Sequence, residues 1–217
     1  MSIKKNFLIS VTLLSIAGIG HAQGNFFFGA NAGAGLLSSP STLDQGLTRS
    51  VHHPVSWSMY AGYQWPITQK GDINLGYELK YNNYGNTTYD ITNAPGQLEY
   101  SADSVDLLAI FAKSFDNGVN FFIEPGVAYQ MQKATLSNTA TINGTTFAAQ
   151  SNKSHGFAPT LALGLGYAIN KHINTYITYN HTWGENNNNW NDVNAQNGFN
   201  HKPFAASALR LGASYLF

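Results

Sequence analysis

Cysteine is absent from the 217 residues, which excludes a disulfide framework and thiolate metal sites and is compatible with export. Charge is also scarce. Charged residues make up 10% of the chain, and Lys plus Arg match Asp plus Glu at 11 each. With neither sign in excess, no field gathers nucleic acid, and none is expected as a partner. Beyond the N-terminal region no segment approaches the ~18 consecutive apolar residues of a transmembrane helix.

What the chain has instead is aromatic and small residues: 12 Tyr, 13 Phe and 21 Gly, a mixture suited to strands joined by turns. At the N-terminus, Lys4 and Lys5 precede an apolar run from Phe7 to Ile19, and Gly20-His21-Ala22 supplies small residues before Gln23. Residues 1–22 are therefore expected to be a cleaved signal peptide, and 23–217 one folded domain.

Period-two alternation runs through that domain. In Asp72 to Asn82, the residues Ile73, Leu75, Tyr77, Leu79 and Tyr81 alternate with Asn74, Gly76, Glu78, Lys80 and Asn82, which predicts a strand with one apolar and one polar face. Val119 to Met131, Thr160 to Ile169, Ile173 to Trp183 and Leu209 to Phe217 repeat it. Asn25 to Leu36, Val55 to Trp65 and Val105 to Phe115 do so less cleanly. Short turn-forming connections (Pro66 to Gly71, Asp116 to Gly118, Asn170 to His172) alternate with long polar stretches (Leu37 to Pro54, Gly85 to Ser104, Lys133 to Phe157, Gly184 to Lys202), which are expected to be loops.

Eight antiparallel strands with tight turns at one end and long loops at the other predict an all-β, up-and-down transmembrane barrel of the bacterial outer membrane; a soluble barrel is the rival. Three features favour the membrane orientation. The polar faces are rich in Gly, Ala, Ser and Asn but poor in Lys. Aromatics gather at strand ends: Trp57, Tyr81, Tyr129, Tyr179 and Trp183 toward the loops, and Tyr63, Trp65, Phe115, Phe121, Tyr167, Tyr215 and Phe217 toward the turns. The charges within strands, Glu78, Lys80, Asp106, Glu124 and Arg210, all share parity with the polar face. Counting depth at roughly 2.6 Å per residue brings Glu78, Lys80, Glu124 and Arg210 to similar heights. An ion network centred on Arg210 with Glu78 and Glu124 is expected, acting as a plug, with a proton or ion pathway as the alternative.

Leu209 to Phe217, with alternating apolar residues and a terminal Phe, resembles the closing strand of Gram-negative outer-membrane proteins. Gly164-Leu165-Gly166-Tyr167-Ala168-Ile169 and Tyr176-Ile177-Thr178-Tyr179 are similar to the sixth and seventh strands of opacity-type, outer membrane protein A-like barrels. The resemblance implies recognition of Tyr215 and Phe217 by the barrel assembly machinery. It further implies an environment of outer-membrane lipids and lipopolysaccharide, and a structural or adhesin-like role with loops free to bind a host-surface ligand. A narrow pore is the alternative. The peptidoglycan-binding domain of longer members is not recognisable, so a tether to the cell wall is not implied.

An enzyme would rest on His181, Ser207 and Glu185, since some eight-stranded barrels modify lipid A. The serine two residues after the histidine in lipid A deacylases is Trp183 here, and no catalysis is expected. His52, His53, His155 and His201 share no ligand spacing, so neither metal nor other cofactor is expected. The Asn186 to Trp190 stretch reads as a loop tip. A monomer is the expected state.

Overall fold

Strands of one apolar and one polar face must bury every backbone N–H and C=O, and a closed ring does so without leaving an edge. A computed structural model describes residues 24–37, 47–49, 54–91, 96–142, 145–184 and 204–217. It contains eight long strands: β1 Asn25–Leu37, β2 Val55–Pro66, β3 Ile73–Ile91, β4 Gln97–Ser114, β5 Val119–Leu136, β6 Gln150–Ala168, β7 Ile173–Thr182 and β8 Ala206–Leu216. Each pairs antiparallel with the next, and β8 returns to pair with β1 from Phe27↔Leu216 to Leu37↔Ala206. A three-residue piece, Leu47–Arg49, adds to the outer end of β3, and Ala140–Ile142 pairs with Thr145–Phe147. Residues 1–22 lie outside the described residues.

The tight turns form as the sequence suggests. Phe115 N donates to the Val119 carbonyl at 2.8 Å, and Gly118 takes φ +84°, which a residue with a Cβ would adopt only under strain. Asn170 Oδ1 accepts from the amides of His172 and Ile173 at 2.8 and 2.9 Å. In the β2–β3 turn, Asp72 receives the Thr68 hydroxyl at 2.5 Å and the Lys113 ammonium. Those contacts, Lys113 first, hold its carboxyl down from 3.8 to about 2. The folded state thus binds this proton more weakly than the unfolded chain does. The stabilisation is present above about pH 4 and is lost as the pH falls toward 2. Asp72→Asn is expected to remove that part of the slope when unfolding free energy is measured against pH.

Across the apolar band, large hydrophobic side chains face outward (Met59, Leu107 and Leu211 are 60%, 61% and 69% exposed), while Glu78, Lys80, Asp106 and Arg210 are at most 3% exposed inside. The two aromatic girdles face outward as expected. Phe28 packs against Tyr215 and Phe217 at the turn end, and Trp57 against Tyr81 at the other.

Two of the expected loops are mostly strand. β3 and β4 stay paired up to Asp90↔Gln97, with a bulge between Asn83 and Asn86, and β5 and β6 up to Leu136↔Gln150. The reason is a reversal of phase. On β4 the outward series changes from Val105 to Asp103, Ser101 and Glu99, while the inward series changes from Asp106 and Ser104 to Ala102, Tyr100 and Leu98. Above that level water lies outside, so apolar residues turn inward, as in a soluble sheet. There Tyr89, Leu98, Tyr100, Leu136 and Phe204 form a buried cluster across the mouth. Gln132 holds Phe204 in it through both backbone groups, at 2.7 and 2.9 Å.

Candidate functional site

The interior below that apolar cap contains two polar layers. In the lower one, Lys80 Nζ lies 2.7 Å from Glu78 Oε1 and 3.0 Å from Glu124 Oε2, and 5.2 Å from the centre of the Tyr60 ring. Tyr60 and Tyr176 join through their hydroxyls, and Tyr176 reaches the carbonyls of Ala30 and Ala213 at 3.2 and 3.3 Å. A cavity of about 230 Å³ extends from the turn end, at Gln64, Asn74 and Lys171, to Glu78, Lys80 and Glu124. Phe27, Ile110 and Phe122 are among its walls.

In the upper layer, Arg210 donates from Nε and Nη2 to Ser56 Oγ at 2.9 and 2.7 Å, and from Nη1 to Asn82 Oδ1 at 2.7 Å. Asn82 Nδ2 donates in turn to Asp106 Oδ2 at 2.8 Å, whose other oxygen takes the Ser104 hydroxyl at 2.5 Å. The guanidinium lies over the Tyr84 ring at 5.2 Å, and the Tyr84 hydroxyl donates to Asn180 Oδ1 at 2.7 Å.

All five interior charges therefore point into the lumen, but their grouping differs from the expected one. Lys80, not Arg210, stands between the two glutamates, and Arg210 reaches Asp106 only through Asn82. Register explains this. Ser56, Gly33 and Arg210 lie in one row across β2, β1 and β8. Gly33, between them in that row, has no side chain; a Cβ there would meet the backbone of β8 at the Leu209 carbonyl and Arg210 Cα. Sequence parity missed Ser56, Asn82 and Tyr84 as partners. For Asn82 a signal existed, since it shares its face with Glu78 and Lys80 at a spacing of two.

A closed eight-strand ring, apolar outside and polar inside, is the layout of outer-membrane barrels. A family model described as "OmpA-like transmembrane domain" matches residues 21–217. The chain belongs to this family. Among solved structures, a major outer membrane protein from Thermus thermophilus is similar to this OmpA-like barrel with a TM-score of 0.53 at 15% identity, covering 88% of this chain and 99% of that one. Neisserial surface protein A gives 0.49 at 13%, covering 88% and 97%. Ail, the attachment invasion locus protein of Yersinia pestis, gives 0.41 at 12%, covering 90% and 99%. At these identities the likeness concerns the fold. No curated protein matches the sequence. The OmpA-like barrel resides in the outer membrane, with its short turns on the periplasmic side and its long connections outside.

On its outer rim His181 and Ser207 are directly opposed across β7 and β8, and His181 Nδ1 lies 2.8 Å from Ser207 Oγ. Trp183 meets the imidazole edge-on at 4.8 Å. Glu185 lies outside the described residues, as do His52, His53, His201 and the Asn186 to Trp190 stretch. Among the described residues no three His, Asp or Glu side chains are grouped to hold a metal ion. At the periplasmic end Phe217 N donates to the Phe26 carbonyl at 2.9 Å, and Tyr215 stacks on His172 at 5.5 Å.

Proposed function

We propose that this OmpA-like barrel is a closed scaffold of the outer membrane that presents its outer hairpins to surface partners, as a structural or adhesin-like protein. The observation that carries this reading is the pair of polar layers at mid-depth in the lumen. The Lys80 triad and the Arg210 layer span the interior, and charges enclosed so tightly hold strands together by satisfying one another. Above them the paired extensions of β3–β4 and β5–β6 offer polar outward faces where neither lipid nor core constrains the residue. The partner proposed is a host-surface ligand, and deletion of each outer hairpin from the folded barrel is expected to abolish its capture.

A narrow pore is the second reading, favoured by the cavity that reaches Lys80 from the periplasmic side. In planar bilayers the parent protein is expected to give no long-lived conductance steps. A large stable pore would overturn the plug.

We also propose removal of residues 1–22 on export, recognition of Tyr215 and Phe217 by the barrel assembly machinery, and a monomeric state. Both aromatics are exposed at the C-terminal end of β8. We assign no catalysis to His181 and Ser207. A nucleophile also needs its base oriented by a third group and donors for the developing oxyanion, whereas among the described residues the peptide groups around this pair are spent on strand pairing. Mass spectrometry of lipid A is expected to show the same acyl pattern with and without the protein.

A further inference from the structure

The outward residues of β5 are apolar from Phe121 up to Tyr129 and Met131, and the next is Lys133. On β6 they are apolar up to Phe157, followed by His155 and Lys153. At roughly 2.6 Å per residue, Lys133 stands about 30 Å above Phe121, just past an apolar band of about 25 Å. That height is the headgroup zone of the outer leaflet.

Lys133 and Lys153 are paired directly across the two strands, and both are exposed. Like charges in that position repel one another, and an anion shared between them would relieve the repulsion. No carboxylate among the described residues forms an ion pair with either. The outward acids of the adjoining β3–β4 face are engaged by neutral donors instead: Asp103 by the Tyr81 hydroxyl and by Asn83 Nδ2, both at 2.8 Å, and Glu99 by Asn86 Nδ2 at 3.1 Å. Directly beneath the lysines, the Tyr129 ring packs against Phe157 at 5.1 Å and His155 at 6.1 Å.

We propose that Lys133 and Lys153 clasp a phosphate of an outer-leaflet glycolipid. Two ammonium groups side by side supply converging charged donors for one phosphate. The aromatic floor formed by Tyr129 and Phe157 accepts the apolar part of the same molecule. The site rests on the outward orientation adopted above, and it assigns to the barrel a fixed lipid position at the foot of the β5–β6 hairpin, below the faces offered to surface partners.

The test compares the parent chain with the double variants K133Q/K153Q and K133R/K153R, all folded in the same detergent micelles. Each is titrated with lipid A bearing both phosphates, with the same lipid A after dephosphorylation, and with inorganic phosphate. The phosphorylated lipid is expected to bind the glutamine pair about tenfold more weakly than the parent, two lost charged contacts at about 0.7 kcal/mol each. The arginine pair retains the affinity, and the dephosphorylated lipid does not distinguish the three. Equal affinity of parent and glutamine pair for phosphorylated lipid A overturns the proposal. Inorganic phosphate binding as tightly as lipid A overturns the lipid source and leaves an adventitious anion only. Folding is read separately from the mobility shift on heating. A parent chain that stays folded in water without detergent would sink the membrane orientation and this site together, whereas a shift seen in all three proteins with no difference in lipid binding sinks the site alone.

Discussion

Lys80→Met is expected to lower the stability of the folded barrel by about 3 kcal/mol, the lower end of the range for breaking a buried ion pair. The lower end applies because the periplasmic cavity brings water near one side of the triad. Methionine keeps much of the volume, so the loss comes from charge. Glu78 and Glu124 would face one another with no cation between them, Lys80 being the ion-pair partner of both. Removing all three charges separates charge from packing. The triple variant Glu78→Gln, Lys80→Met, Glu124→Gln is expected to return to within about 1 kcal/mol of the parent, since replacing a whole buried ionic group costs far less than orphaning part of it. Urea unfolding of the refolded barrel in lipid vesicles measures both. A Lys80→Met protein that unfolds at the parental urea concentration would show that the triad does not support the fold.

The second large effect is expected on the opposite face. Leu211→Arg should cost about 2–4 kcal/mol, the depth-dependent penalty for a guanidinium near the bilayer midplane. Leu211 is 69% exposed outside the barrel. It lies between Ala32 and Ile177 on the neighbouring strands, and about 10 Å above the girdle residue Tyr215 on its own strand. In a water-soluble barrel the same exposed position would accept arginine almost without cost. The measurement therefore reads the solvent outside the barrel directly, and an unchanged unfolding curve in vesicles would contradict hydrocarbon there.

The expected effects rest on features of unequal legibility. The membrane-embedded strands and their tight turns follow from local chemistry: alternation in Ile73 to Asn82, and Asn or Gly at Asp116–Gly118 and Asn170–His172. Local signals also place the five charges on the inner face, because parity is a property of one strand. Their partners are set by alignment between distant strands. Arg210 meets Ser56 because Gly33 lies between them in one row, and nothing near Arg210 in the sequence encodes that row. The upper halves of β3 to β6 read as loops for a different reason. Where the surroundings change from lipid to water, the apolar phase moves to the other face, so a single alternation carried through Val105 and Asp103 breaks even though the β4–β5 ladder does not. The same break is nonetheless a usable signal, as it marks the edge of the hydrocarbon.

On the closed-scaffold reading proposed above, that change of phase also gives the interior two barriers of different kinds in series: ionic groups at mid-depth, then greasy rings of Tyr89, Tyr100 and Phe204 under the outer opening. A permeating ion would have to displace fixed charges and then shed its water to cross a dry constriction, and a small apolar solute would meet the charged layer instead. Loosening either barrier leaves the other shut. On that reading leakiness needs coincident lesions, which gives the residues around each barrier room to vary one at a time.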